Sequence, residues 1–347
     1  MKTSIIPIFI PHYGCPYRCI FCNQWRITGH RELPVVTEIA DQIMTYQASA
    51  TTGRHWELAY YGGSFTALPM DLQKNFLEPA YAALQAGRLD AIRLSTRPDC
   101  ITIPILEQLR RYGVTIVELG VQSMDDAVLA VAKRGHVAAQ VYEAVTLLRQ
   151  YGFTVGLQLM PGLPGEDMSS LWRTTIAIGR LQPDFTRIYP VVVIDDTELA
   201  ELYQNGGYTP LTIAEGVRRA TVMKQYFLYR NIPVIRTGLQ ATAELDEGAH
   251  ILGGAYHPAM GEMVDTRRYA KQIIKALRRV HCHEPIMITY NRRDTSKVRG
   301  IRNVTIHRLQ RRYPYLRWQE GIIAVGAVSI VQQGMKQIIT CNTWSRA

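Results

Sequence analysis

Residues 12–24 read HYGCPYRCIFCNQ and set Cys15, Cys19 and Cys22 within eight positions. Three thiols in a C-x3-C-x2-C spacing, with no fourth cysteine nearby, offer three soft ligands. A structural zinc site takes four, usually as two separated pairs. A lone C-x-x-C would suggest redox chemistry instead. A cubane [4Fe–4S] cluster held by three cysteines keeps one iron without a protein ligand, and that iron can bind a small molecule. Zinc completed by a distant group such as His281, Cys282 or His283 stays open on these residues alone.

Outward from this stretch, the chain of 347 residues is 47% hydrophobic, enough for one large domain with an appendage. No apolar run approaches the ~20 residues that span a bilayer. The apolar run in MKTSIIPIFIPHYG is short, broken by proline and leads straight into the cysteines, unlike a signal peptide. A cytoplasmic protein is expected, and in a reducing cytosol a tight cysteine cluster is metal-binding or catalytic. The net charge of +10 is uneven. Residues 266–347 hold 17 Lys+Arg against 3 Asp+Glu, whereas residues 1–265 hold 22 against 26. Such asymmetry suggests a polyanion-binding tail on a near-neutral body.

The body alternates β-branched runs with amphipathic stretches. Strands are expected at 4–10, 56–62, 91–97, 115–121, 154–160 and 184–191. Helices are expected at 37–49, 71–86, 102–112, 125–132, 137–151 and 168–181. This rhythm implies a parallel sheet of βαβ units, either open and doubly wound or a partial barrel. After about residue 191 a loop-rich excursion precedes a long helix (213–230), then PVIRTG and a basic helix around 266–280. Beyond Pro285, IMITYN, a helix near 296–311, LRWQ and IIAVGAVSIV suggest a small α+β unit.

The cysteine motif resembles the signature of the radical S-adenosylmethionine (SAM) superfamily, with Phe21 as the aromatic that lies near the SAM adenine. Gly62-Gly63-Ser64 looks like the family's glycine turn, which receives the methionine amine; glycines let the backbone approach a ligand closely. YGGSFTALP (61–69), LSTRPDC (94–100), ELGVQSMDDAVL (118–129), KRGH (133–136), LLRQYGFTVGLQLMPGLPGE (147–166) and PDFTRIYPVVV (183–193) resemble one branch in particular. It holds the catalytic subunit of Elongator and the oxygen-independent coproporphyrinogen oxidases. The likeness covers about residues 5–265 and implies a partial (β/α)6 TIM-like barrel, with the cluster and SAM at the C-terminal ends of the strands. Domains are expected at 1–195 (barrel), 196–265 (family-type extension) and 266–347 (basic α+β unit).

By the same resemblance Ser95 faces SAM, Arg149 pairs with the methionine carboxylate, and His136 and Gln158 contact its ribose or carboxylate. The implied chemistry is reductive. Iron–sulfur potentials reach about −700 mV, so a reduced cluster can split SAM and release a 5′-deoxyadenosyl radical that abstracts hydrogen. An electron donor such as flavodoxin or ferredoxin and sensitivity to oxygen follow.

The sequence also departs from its relatives. It shows no acetyltransferase domain like that of the Elongator subunit, so acetyl-CoA use is not implied. Asn23-Gln24 follows Cys22 where the coproporphyrinogen oxidases carry a further cysteine, which counts against porphyrin chemistry. Cys100, Cys282 and Cys341 are isolated, so no second cluster is expected.

In the tail, SKVRGIRNVTIHRLQRRYPYLRWQEG (296–321) combines arginines with Tyr313, Tyr315 and Trp318. Arginine binds phosphate, and aromatics stack on unpaired bases. Gly300 to Asn303 sits where a KH domain would carry its G-x-x-G loop, with the second glycine missing. Val298, Ile301, Val304 and Leu309 read equally as the core of a stabilising unit whose charges face water. The expectation is a radical SAM enzyme acting on tRNA or rRNA. The alternatives are the same chemistry on a small metabolite or peptide, or a non-catalytic iron–sulfur RNA-binding protein.

Overall fold

In the computed structural model, residues 2–29, 32–49, 53–240, 248, 250–278, 280 and 284–341 are described. The first strand, β1 (Lys2–Ile10), buries Ile6, Ile8 and Ile10 on alternate positions, the two-residue period of a strand with one face in the core. It pairs in parallel with β2 (Arg54–Gly62), and the sheet continues through β3 (Ala91–Thr96), β4 (Val114–Gln122), β5 (Thr154–Leu159) and β6 (Phe185–Ile188). Crossover helices at Met70–Gln85, Ile103–Arg111, Ala138–Gln150 and Met168–Leu181 cover it. Each presents one apolar face; Val141, Ala144, Val145 and Leu148 are an example, recurring at helical spacing. Asp167 starts the helix Met168–Leu181, and Asp125 the short helix Asp126–Val131 between β4 and the next crossover, each by accepting bonds from backbone amides of the first turn. Fully burying one Leu or Val of this core stabilises the fold by about 1.5–3 kcal/mol.

The six expected strands are present, and a seventh joins them. PVIRTG forms β8 (Val234–Thr237), which pairs in parallel with β6 at the far edge and extends the partial barrel to seven strands. The expected strand 184–191 divides. It ends at Ile188, and beyond Pro190 the chain forms β7 (Val192–Ile194), antiparallel to β9 (Ile251–Gly254). Pro190 has no N–H to continue a ladder.

The C-terminal unit has its own sheet. Its central strand β10 (Ile286–Tyr290) is parallel to β11 (Leu316–Glu320) and antiparallel to β12 (Ala327–Gln332), which pairs with β13 (Met335–Thr340). Ile288, Tyr290, Val298, Leu309, Val328 and Ile330 form its core with Ile273 and Leu277 of the helix Met260–Leu277. Arg268 Nη2 (3.0 Å) and Gln225 Nε2 (3.2 Å) both donate to the Cys341 carbonyl, tying this unit to the barrel's helix Ile213–Tyr229.

The helix expected near 296–311 is interrupted. Thr295–Arg299 and Val304–Gln310 are separate helices, because Gly300 (φ 71°), Arg302 (φ 53°) and Asn303 (φ 57°) take left-handed conformations between them. The sequence Gly300–Asn303 is therefore the turn between two short helices. His281, Cys282 and His283 lie outside the described residues. Among the described residues no helix is long and apolar enough to cross a membrane.

Candidate active site

The cysteine loop begins where β1 ends. His12 (φ 55°) and Gly14 (φ 74°) turn the chain, and Cys22 N donates to Cys19 O at 3.1 Å. Ile20 and Phe21 anchor the loop among Val128, Ala132, Leu163, Val191 and Leu199. Ile20 N donates to Ala132 O (3.3 Å), and Ile20 O accepts from Leu199 N (2.8 Å). Gln24 closes the loop on the neighbouring strand, with its backbone N donating to His12 Nε2 (2.8 Å) and its Nε2 to Gly62 O (2.6 Å).

The glycines make this closure possible. A Cβ on Gly63 would lie 2.1 Å from Tyr13 O and 2.9 Å from Ile10 O, and one on Gly14 would lie 2.3 Å from Ser64 O. All of these are backbone atoms with no freedom to give. Gly63 N also donates to Ile10 O at 2.7 Å. The glycine turn thus seats the cysteine loop by direct backbone packing, a role its sequence did not announce.

The loop and the strand ends enclose a cavity of about 850 Å³, within the range of small-molecule and cofactor sites. Cys15, Cys19, Cys22, Phe21, Gly62, Gly63, Ser64, Ser95 and Gln158 all line it, so nine of the expected site residues come together. The Ser64 hydroxyl is engaged with Thr96 Oγ1 at 2.9 Å. The floor is a buried charge network. Glu118 accepts from Arg93 Nη1 (2.9 Å) and Arg187 Nε (2.6 Å), and Arg187 Nη1 donates to Tyr189 OH (3.2 Å). Buried charges persist only when paired in this way.

Two expected residues do not reach the cavity. Arg149 is exposed in the last turn of the helix Ala138–Gln150, where it donates to Gln182 O. A crossover helix runs antiparallel to its strands, so its last turn lies at the barrel end opposite the cavity. His136 is 3% exposed but is not part of the lining. Burial, with Arg134 and Arg97 beside it, lowers its pKa to about 4 and keeps the imidazole neutral.

Arg18, Arg97 and Arg134 line the cavity, and the cation bonded to a cysteine sulfur is Arg134. Its Nη1 donates to Cys19 Sγ at 3.0 Å and its Nη2 to Gly120 O at 2.5 Å. Arg97 donates to the Arg134 carbonyl and stacks over Tyr17, 4.9 Å from the ring centre. Arg134 stands two residues before His136 in KRGH, the motif in which His136 rather than Arg134 is singled out. Glu118, Gln122 and Tyr189 also line the cavity; they lie in the family-like stretches 118–129 and 183–193 but are not singled out there.

The donor set fits an iron–sulfur cluster. Burial, together with Cys19 and Cys15 nearby, pushes the Cys22 thiol up to about 12, so ionising these sulfurs together calls for a compensating cation. Among the described residues no three His, Cys, Asp or Glu side chains could share a single metal ion. Three thiols lining one cavity can each take a separate iron of a polynuclear group.

A parallel partial barrel with three cysteines at the C-terminal ends of its strands defines the radical SAM class of fold and site. Two family models match in tandem: the Radical SAM superfamily over residues 9–175 and the Radical_SAM C-terminal domain over residues 183–271. The chain belongs to the radical SAM superfamily. Among relatives it is similar to the tRNA uridine(34) acetyltransferase of Dehalococcoides mccartyi, 31% identical over 56% of this chain and 50% of that protein. It is also similar to human Elongator complex protein 3, 28% identical over 51% of this chain and 38% of that protein. The chain thus spans half or less of the length of these relatives. The archaeal Methanocaldococcus infernus Elp3 structure superposes with a TM-score of 0.63 at 23% identity, over 80% of this chain and 64% of that one, and shares the fold.

Proposed function

We propose that this chain is a radical SAM enzyme that holds a [4Fe–4S] cluster on Cys15, Cys19 and Cys22, binds SAM beside it and modifies RNA, with tRNA the first candidate. The observation that carries this reading is the shared cavity, where the three thiols meet the Gly62–Gly63 turn at the strand ends. The relatives that act on tRNA uridine and the basic C-terminal unit support RNA as substrate. When bound, the cluster and SAM supply one-electron cleavage of the sulfonium and with it a hydrogen-abstracting radical.

The chain's own residues prepare the site. Gly62 and Gly63 fix the cysteine loop against the sheet, and Phe21 and Met160 supply apolar wall. Ser95, Gln122 and Gln158 offer polar contacts to the nucleoside, and Arg134 offers a guanidinium to the carboxylate. Pro16, Tyr17 and Arg18 are exposed beside the cysteines, leaving that side open to an electron donor such as flavodoxin or ferredoxin. The reading is tested by whether tRNA raises 5′-deoxyadenosine production by the reduced protein.

The assignment of the carboxylate partner has its own test. A charge-assisted hydrogen bond contributes about 1.5–3 kcal/mol, so Arg134→Gln weakens SAM binding by roughly 10- to 100-fold. Arg149→Ala, at the far end of the barrel, leaves SAM binding within about twofold. Equilibrium titration of SAM into both reconstituted variants gives the comparison, and the reverse order would restore Arg149 to the site.

A further inference from the structure

A group of cations lies outside the cavity, where the barrel meets the C-terminal unit. Arg267 and Lys271 stand four residues apart on the helix Met260–Leu277 and therefore share a face. Arg218, on the adjacent barrel helix, and Arg308, on the short helix after the Gly300 turn, face the same place. Glu215 is the carboxylate set against them, and it is already shared between Arg218 (2.6 Å) and Arg219 (3.2 Å). The Gly300 turn is pinned to this helix, because a Cβ there would lie 2.6 Å from the Thr266 methyl. Arg302, exposed, belongs to the same turn.

Cations gathered with so little compensation repel one another. Partial burial, with Arg218 and Arg308 facing it, lowers the Arg267 pKa, and Lys271 is lowered by burial with Arg267 and Arg218 beside it. A fold keeps such a cluster at a standing cost, which a bound anion would relieve. The three elements also come from both parts of the molecule, so a ligand here would bridge the barrel and the C-terminal unit.

We propose that Arg218, Arg267, Lys271, Arg302 and Arg308 form a phosphate-binding track for the RNA substrate, carrying its backbone across the junction toward the cavity. The proposal rests on the reading of RNA as the substrate and assigns where it is gripped. Arginine, whose planar fork fits phosphate oxygens, dominates the set. The track leads to the site. Its helix begins at Met260, which packs on Gly238, and the neighbouring Leu239 lines the cavity. Arg267 lies seven residues along that helix, roughly 10 Å at 1.5 Å per residue.

The test is fluorescence anisotropy of fluorescein-labelled unfractionated tRNA with the anaerobically reconstituted full chain, at potassium chloride concentrations from about 50 to 300 mM. The triple variant Arg267→Gln, Lys271→Gln, Arg308→Gln is expected to bind at least about tenfold more weakly. Its log–log salt slope should fall by about 2, since each lost phosphate contact removes roughly 0.7–0.9. The exposed Lys271→Gln alone, which places no demand on folding, should lower the slope by about one such step. Arg110→Gln with Arg111→Gln, on an outer barrel helix, should change affinity less than about twofold, and SAM cleavage without RNA should be unchanged in every variant. Triple and single variants that bind as the parent does, with the parent's slope, would overturn the track and leave the RNA reading standing. The same holds if they keep tRNA affinity and lose flavodoxin affinity instead, which would make this an acidic-protein surface. A parent chain that fails to bind tRNA at the lowest salt would overturn both.

Discussion

Replacing Cys19 by alanine leaves the reconstituted protein without its cluster. Iron and sulfide fall to background, the charge-transfer absorbance of the cubane disappears, and SAM cleavage drops by more than about 100-fold, the upper end of what even second-sphere changes cost a metal site. Among the described residues three thiols border the cavity, so losing one leaves two ligands for the whole group. The substitution also removes the acceptor that Arg134 Nη1 meets at 3.0 Å, leaving the guanidinium its bond to Gly120 O alone of the two. Cys100→Ala is the matched control, because Cys100 does not border the cavity and its loss should spare the cluster. Full cluster content in the Cys19→Ala protein would remove the basis of the site.

The second large effect comes from a glycine whose packing against the cysteine loop is separate from any contact it makes with SAM. Gly63→Ala adds one methyl group, 2.1 Å from Tyr13 O and 2.9 Å from Ile10 O. Neither oxygen can rotate away, so the backbone must part and the 2.7 Å bond from Gly63 N to Ile10 O must lengthen or break. Overpacking of this kind costs about 1–3 kcal/mol, and more where backbone is the obstacle. The strain falls on the seam that holds the cysteine loop to the sheet. The expected result is a protein that retains all three cysteines, folds with a lower melting temperature and takes up little cluster. Iron analysis together with circular dichroism melts measures both. Normal cluster uptake by Gly63→Ala would show that the glycine turn does not seat the loop. Gly152→Ala makes a useful comparison. Unlike Gly63, Gly152 has a positive φ (79°), but it faces open space, so its replacement should lower stability through backbone strain and leave the cluster intact.

The parts of this molecule that were legible in the sequence are those written in short range. Cys15, Cys19 and Cys22 declare themselves by spacing, and the strand–helix rhythm declares a parallel sheet because each unit repeats the same apolar punctuation. The helices expected at 125–132 and 168–181 are observed at Asp126–Val131 and Met168–Leu181, within a residue or so at each end. What failed was anything requiring knowledge of which end of the barrel a residue occupies. Arg149 and Arg134 both sit in motif-like stretches, but only the crossover direction shows that the first lies at the far end and the second beside Cys19. The seventh strand escaped because Val234–Thr237 is four residues long and contains Arg236. The broken helix near Gly300 was hidden because Arg302 and Asn303 join the glycine in left-handed conformations, which arginine rarely adopts. The basic tail was legible in its charge, but Arg218, ninety residues before Arg308, could not be joined to it from the sequence, since only the packing of helices sets the two against Arg267.

The most direct test of the whole account is to reconstitute the protein anaerobically, reduce it, and quantify 5′-deoxyadenosine with and without tRNA by mass spectrometry. The account predicts slow SAM cleavage by the protein alone and a clear rise when tRNA is added, with neither seen for Cys19→Ala. Cluster-loaded, reduced protein that yields no 5′-deoxyadenosine above the Cys19→Ala background under either condition would contradict it.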